Sequence, residues 1–145
     1  MPQKVWHNVH MSESAAFTAV SQPGLDLTLK AVERGIPLSA LKRFSAYSGL
    51  ALNDLLGIVI PARTLKHRRA RKEPLNLDES DRLARVARLY EFAVRVFGNP
   101  DKARHWLSNP KHRFAERTPL SLLRTDIGSR QVEEALVQID EGMFA

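Results

Sequence analysis

Six cations lie close together between Pro61 and Lys72, and no acidic residue lies among them. The chain has 22 basic and 16 acidic side chains, so the basic residues outside this twelve-residue segment only match the acids in number. The formal net charge of +6 therefore belongs to the segment alone. Charge this concentrated predicts contact with a polyanion. A solvated basic helix face is the simpler alternative. The cations are Arg63, Lys66, Arg68, Arg69, Arg71 and Lys72.

A helix-turn-helix is the element that would position these cations. The spacing of apolar residues predicts a short helix over 51–58 and a second over 61–71, with a break at Ile60-Pro61 between them. In a helix-turn-helix the second helix enters the major groove of DNA. Four apolar residues are expected to join the two helices: Leu55, Ile58, Ile60 and Leu65.

The outward face of the predicted helix 61–71 would then carry the DNA contacts. Residues near the start of such a helix usually reach base edges, whereas later cations hold phosphates. We therefore predict base contacts from Arg63, Thr64 and His67 and phosphate contacts from Lys66, Arg68 and Arg71. An alternative for Arg68 or Arg69 is an ion pair with an acid of the second half, such as Asp78 or Glu79.

No group of side chains predicts catalysis. The chain has no cysteine, which excludes disulfides, thiolate metal sites and a cysteine nucleophile. Its five histidines show no i, i+4 pair with a glutamate between them, so a zinc hydrolase is not expected. The acids 78, 79 and 81 fall at a predicted helix start, where they complement the helix dipole. We therefore expect a protein that is not an enzyme, with no catalytic residue, metal, cofactor or small-molecule substrate.

The composition predicts a globular protein in the cytoplasm. Hydrophobic residues make up 43 % of the chain, which is ordinary for a folded domain. No apolar stretch approaches the roughly 20 residues that a membrane helix needs. The start, 1–10, lacks the basic-then-apolar pattern of a secretory signal. We expect no membrane partner.

The predicted fold is all-α, because Pro and Gly fall at the boundaries of helical patterns and no segment alternates over the length of a strand. A break at Pro74 divides the chain at about 73–77, and Asn76 with Glu79 has the spacing of a capping box. We expect an extension at 1–22, a helix-turn-helix domain at 23–73 and a helical second half at 74–145. Helices are predicted over 25–34, 37–48, 51–58, 61–71, 78–97 and 101–107, then a short one after Thr118-Pro119 and a last one from Gly128-Ser129 to Gly142.

The long helix 78–97 carries two adjoining apolar stripes, more apolar surface than one face of a small domain needs. The first runs from Leu83 to Phe97, and the second comprises Leu89, Phe92 and Val96. The surplus predicts a homodimer seam, a partner interface, or both. Trp106 would anchor such an interface, or it is simply part of the core.

The sequence from Ile60 to Arg69 resembles the I-x-x-R-T-L-x-x-R motif of the Xre/MbcA/ParS antitoxin family. Further pieces similar to that family follow in the same order and spacing, so the resemblance covers about 24–142. They are 79–83, 96–98, 103–107, 118–123, 128–133 and 139–142. One departure is 114–117, where the family commonly has a Gly-rich turn, so the conformation of this loop is left open.

The resemblance implies a paired RES-domain toxin that consumes NAD, an antitoxin that binds this toxin and blocks its active site, repression of the shared operon through promoter DNA, and a homodimer. On that basis the tail residues Met143, Phe144 and Ala145 are predicted to reach into the toxin's pocket, with Trp106 as a further toxin contact. Two alternatives stay open: a transcription regulator with a helical dimerisation half and no toxin, and an interaction protein whose basic helix binds an acidic protein.

Overall fold

Helices build the described part of the chain, which comprises residues 21–22 and 25–142 of a computed structural model. The predicted all-α class is confirmed, apart from a short antiparallel pair of two-residue strands, β1 (Ser21–Gln22) and β2 (Leu25–Asp26). The helices are α1 (Leu29–Arg34), α2 (Ser39–Ser48), α3 (Leu52–Ile58), α4 (Ala62–Arg71), α5 (Leu77–Phe97), α6 (Pro100–Ser108), α7 (Pro119–Leu122) and α8 (Asp126–Asp140), with a 3-10 helix at His112–Phe114.

The sequence predicted that the first helix begins at Leu25. In the structure it begins four residues later, at Leu29. Thr28 caps it, because its hydroxyl oxygen accepts from the Ala31 amide at 3.3 Å. The preceding residues are extended, with Leu25 and Leu27 buried on either side of the exposed Asp26. This alternation lasts only three residues, which is too short to predict a strand.

The long helix α5 begins with the capping box that the sequence predicts. The Glu79 amide donates to Asn76 Oδ1 at 2.8 Å, and the Asn76 amide donates to Glu79 Oε1 at 2.8 Å. These bonds satisfy amides that a helix start otherwise leaves without partners. The last helix, α8, differs from its prediction: Thr125 caps it, and Gly128 lies inside its first turn.

One continuous hydrophobic core joins residues from both predicted halves. Helix α5 is its centre and packs against α1, α2, α6 and α8. Most of the first predicted stripe, from Leu83 to Ala93, is buried there. The largest fully buried side chains are Phe44, Leu27, Ile36, Leu41, Leu50, Leu55, Ile60, Leu75, Leu83, Leu89, Leu107 and Leu123.

The segment 73–77, where we predict the boundary between the halves, is fixed to the first half. Leu75 is buried, and its amide donates to the Ile36 carbonyl at 2.9 Å. The Ile36 amide in turn donates to Ser80 Oγ at 3.0 Å. These bonds hold the start of α5 against the turn between α1 and α2. The domain division itself stays a prediction.

Candidate nucleic-acid interface and partner surface

Helices α3 and α4, with Val59, Ile60 and Pro61 between them, form the predicted pair of short helices. The Val59 amide donates to the Leu55 carbonyl at 2.8 Å and closes α3. Pro61 precedes α4 in an extended conformation, with φ −60° and ψ 145°. The turn is therefore three residues long and sharply bent, as a helix-turn-helix requires. All four apolar residues that were predicted to face inward are buried: Leu55, Ile58, Ile60 and Leu65.

The outward face of α4 carries the cations. Near its start Arg63 is exposed and Thr64 is half-buried, and Lys66, His67 and Arg71 are exposed further along. The basic residues of the last turn also complement the negative end of the helix dipole. The predicted base and phosphate contacts are thus accessible, with one exception, although their roles stay predictions.

The exception is Arg68, which makes a bidentate ion pair with Glu79 at the start of α5. Arg68 Nε donates to Glu79 Oε1 at 3.2 Å, and Arg68 Nη2 donates to Oε2 at 3.0 Å. The Glu79 side chain is only 5 % exposed, whereas that of Arg68 is 24 % exposed. Of the two alternatives for Arg68, the structure therefore contains the ion pair with the second half.

Two residues near this face carried no signal in the sequence. Lys42 on α2 and Arg69 on α4 both line a cleft of about 280 Å³ between α2, α3 and α4, and both cations are exposed. Arg82 on α5 donates from Nε to the Val59 carbonyl at 3.1 Å. Neither placement can be predicted from spacing along the chain, because each depends on which helices meet in the fold.

Trp106 lies half-buried at the edge of the core, so it combines features of the two alternatives that the sequence left open. Its ring centroid is 5.7 Å from that of Phe97 and 6.5 Å from that of Phe114. Lys111 Nζ lies 5.7 Å from the same ring, within range of a cation–π contact. Partial burial lowers the pKa of Lys111.

The loop after α6 adopts a left-handed turn without glycine. Ala115 and Glu116 have φ values of 56° and 65°, where a Cβ is unfavourable. Two contacts hold them there: the Lys111 amide donates to the Arg117 carbonyl at 3.1 Å, and Phe114 is buried. This loop therefore lacks the glycines of a Gly-rich turn, but its backbone still adopts the left-handed conformation that glycine favours.

The second apolar stripe of α5 is only partly covered. Leu89 is buried, but Phe92 and Val96 pack against the core with part of their surface exposed. This surface is available to a second copy or to a partner protein. The tail residues Met143, Phe144 and Ala145 lie outside the described residues.

Metal-binding groups and membrane-spanning helices are both absent from the described residues. No group of three or more His, Cys, Asp or Glu side chains there could hold a metal ion. None of the helices there combines the length and the apolar character that crossing a membrane requires.

Two family models match adjoining parts of the chain. The Antitoxin Xre-like helix-turn-helix domain matches residues 28–88. The Antitoxin Xre/MbcA/ParS C-terminal toxin-binding domain matches residues 92–142. The two matches meet inside α5, between 88 and 92.

Three proteins that are similar to this chain carry the name Antitoxin Xre. An Antitoxin Xre of Photorhabdus laumondii is 30 % identical over 134 residues, which cover 91 % of this chain and 88 % of the relative. An Antitoxin Xre of Pseudomonas putida is 54 % identical over 84 residues, 58 % of this chain, and the match spans about half, 53 %, of that relative. An Antitoxin Xre of Yersinia enterocolitica is 28 % identical over 116 residues, 79 % of this chain and 78 % of the relative.

Proposed function

The chain belongs to the Xre family of antitoxins, and from this membership we propose that it neutralises a RES-domain toxin and represses its own operon by binding promoter DNA. The observation that carries the DNA-binding half is the exposed basic face of α4. Helix α4 is the second helix of the pair, and it carries five of the six cations of the segment that accounts for the net charge. Four of these five are exposed: Arg63, Lys66, Arg69 and Arg71.

Base recognition is assigned to the start of α4. Arg63 can donate two hydrogen bonds to a guanine, and Thr64 and His67 lie on the same helix within reach of neighbouring bases. Lys66 and Arg71 are assigned to phosphates. Lys42 and Arg69 extend the basic surface beyond the predicted set, since both are exposed at the cleft beside α4.

A salt titration tests this half of the proposal. Binding to a duplex of the chain's own promoter region is measured by fluorescence anisotropy, with a shuffled duplex of the same composition as control. Specific binding should exceed shuffled binding by about a thousandfold or more at physiological salt. Both affinities should fall steeply as salt rises, because phosphate contacts release counterions. Equal affinity for the two duplexes would contradict specific DNA binding and favour the alternative in which the basic helix binds an acidic protein.

The toxin-binding half is assigned to residues 92–142, which the C-terminal family model matches, and to the tail that follows them. Trp106 is the described residue best suited to an interface, because it is large, half-buried and bordered by Lys111. Met143, Phe144 and Ala145 are proposed to enter the pocket of the toxin and block its active site. In this proposal the chain inhibits an enzyme and is not itself one.

Co-expression tests the partner. The neighbouring gene is expressed alone and together with this chain, while cell growth and the cellular NAD concentration are measured. Expression alone should lower NAD and arrest growth, and this chain should restore both. A neighbouring product that leaves NAD unchanged would favour a regulator without a RES-domain toxin. A homodimer is proposed through the exposed parts of Phe92 and Val96 and is tested by light scattering of the purified protein.

A further inference from the structure

Two side chains one helical turn apart on α5 contact the helix-turn-helix from the same side. Glu79 binds Arg68 in the second half of α4 through two hydrogen bonds, of 3.2 and 3.0 Å. Arg82 donates to the carbonyl of Val59, the residue that follows α3, at 3.1 Å. One contact therefore lies before the start of α4 and the other lies after its midpoint.

The Glu79 contact is geometrically demanding. The residue is 4 % exposed, and its Oε1 accepts from both Arg68 Nε and the Asn76 amide. A bidentate contact between arginine and carboxylate fixes the plane of the guanidinium as well as its position. The Nε and Nη2 edge of the Arg68 guanidinium therefore faces α5, and it cannot donate to a phosphate at the same time.

The Arg82 contact fixes the turn. Val59 is fully buried, and its carbonyl is left over at the end of α3, where helices lack internal donors. A hydrogen bond from a charged donor is about twice as strong as one between neutral groups. Because Val59 is the first residue of the turn, this bond constrains the direction in which α4 starts.

We propose that Glu79 and Arg82 are positioning residues for DNA recognition. They set the angle of α4 relative to the rest of the protein, and Arg68 acts as the partner of Glu79 and not as a phosphate contact. The inference rests on the proposed function, namely that α4 binds operator DNA. It places two determinants of DNA specificity on α5, outside the two helices α3 and α4.

Glu79→Gln isolates the charge. Glutamine keeps the volume and still serves in a capping box, while it loses the charge that binds Arg68. Affinity is measured for the promoter duplex and for the shuffled duplex over a range of salt concentrations. We expect promoter affinity to fall at least tenfold and shuffled affinity to hold or rise. The freed Arg68 adds a phosphate contact, so the logarithmic salt slope should steepen by about 0.9.

Asp78→Asn is the matched control. Asp78 is the exposed neighbour of Glu79 in the first turn of α5, and its substitution also removes one negative charge. It should leave the ratio of promoter to shuffled affinity unchanged. A wild-type protein that does not discriminate between the duplexes would refute the proposed function. If the wild type discriminates between the duplexes but Glu79→Gln and Asp78→Asn give the same ratio of promoter to shuffled affinity, the positioning role alone is refuted.

Arg68→Gln separates the two roles of Arg68. A positioning role predicts a lower affinity ratio with an unchanged salt slope. A phosphate contact predicts an unchanged ratio with a salt slope shallower by about 0.9, and that result would overturn the proposal.

Should Glu79→Gln fail to fold, as judged by thermal melting, Arg82→Lys provides the second readout. It keeps the charge but loses the planar donor to Val59, and it should lower the ratio. An unchanged ratio would count against the positioning role of Arg82.

Discussion

The backbone of Gly128 lies against the carbonyl oxygen of Leu122, so closely that a Cβ at Gly128 would be 2.0 Å from that oxygen. The contact joins the first turn of α8 to the end of α7. Since the obstructing atom belongs to the backbone, it cannot move aside as a flexible side chain would.

Gly128→Ala should therefore destabilise the protein by about 1–3 kcal/mol or more, the range for an overpacked interior. Gly57→Ala is the control, because Gly57 lies in α3 with nothing within 4 Å of its would-be Cβ. It should stabilise the fold by about 0.5–1 kcal/mol, since alanine favours a helix interior. Chemical denaturation of both variants gives the free energies of unfolding. Equal effects in the two variants would contradict the close approach at Gly128.

Arg63→Ala should relax the sequence preference at one base position by about 1–3 kcal/mol, because Arg63 is proposed to read a guanine. Lys66→Ala should instead weaken binding to all sequences and lower the salt slope by about one. Competition binding against a set of single-base variants of the promoter duplex distinguishes the two effects. Lys102→Ala on α6, exposed but in the second half, serves as control. Lost affinity with an unchanged preference in Arg63→Ala would exclude its role in reading a base.

Deleting 142–145 should abolish toxin neutralisation while promoter binding persists. The reason is that Met143, Phe144 and Ala145 are proposed to fill the toxin's pocket, whereas the contacts that hold α4 lie on α5. Growth of cells that co-express the toxin measures the first effect, and anisotropy with the promoter duplex measures the second. Continued protection of the cells by the truncated protein would show that the tail is not the inhibitory element.

Ala115→Gly should raise the free energy of unfolding, by up to about 1 kcal/mol. Ala115 has a φ of 56°, a conformation that costs an L-residue about 1–2 kcal/mol and glycine nothing. The greater freedom of glycine in the unfolded chain offsets part of this gain. Ala46→Gly, exposed in α2, is the control and should destabilise by about 0.5–1 kcal/mol. Thermal melting compares them, and a loss of stability in both would mean that Ala115 is not strained.

The helices with strong periodicity and clear caps were predictable from the sequence. Asn76 caps α5 as predicted, and Asn99 and Thr118 cap α6 and α7 close to their predicted starts, because side-chain caps act over two or three residues. The short helix at His112–Phe114 was missed, since its only apolar anchor is Phe114. The strand pair before α1 was missed because each strand has two residues.

The candidate site was predictable only where it depends on a single helix. The exposed face of α4 follows from charge and helical period alone. The engagement of Arg68 with Glu79 was one of two open alternatives, because a sequence gives the spacing of charges within a helix but not which helices meet. Arg82 could not be assigned, since its acceptor is a backbone carbonyl that every residue type provides.

The two family matches meet within α5, a single 21-residue helix without an internal glycine or proline. Each residue inserted into an α-helix turns everything beyond it by about 100° and advances it by about 1.5 Å. A single insertion near 88–92 would thus rotate the later part of α5 by about a quarter-turn against the core that joins the two halves, while seven residues would nearly restore the phase. Exchange of halves between relatives is therefore compatible with substitutions along α5 but requires its length to be kept in register.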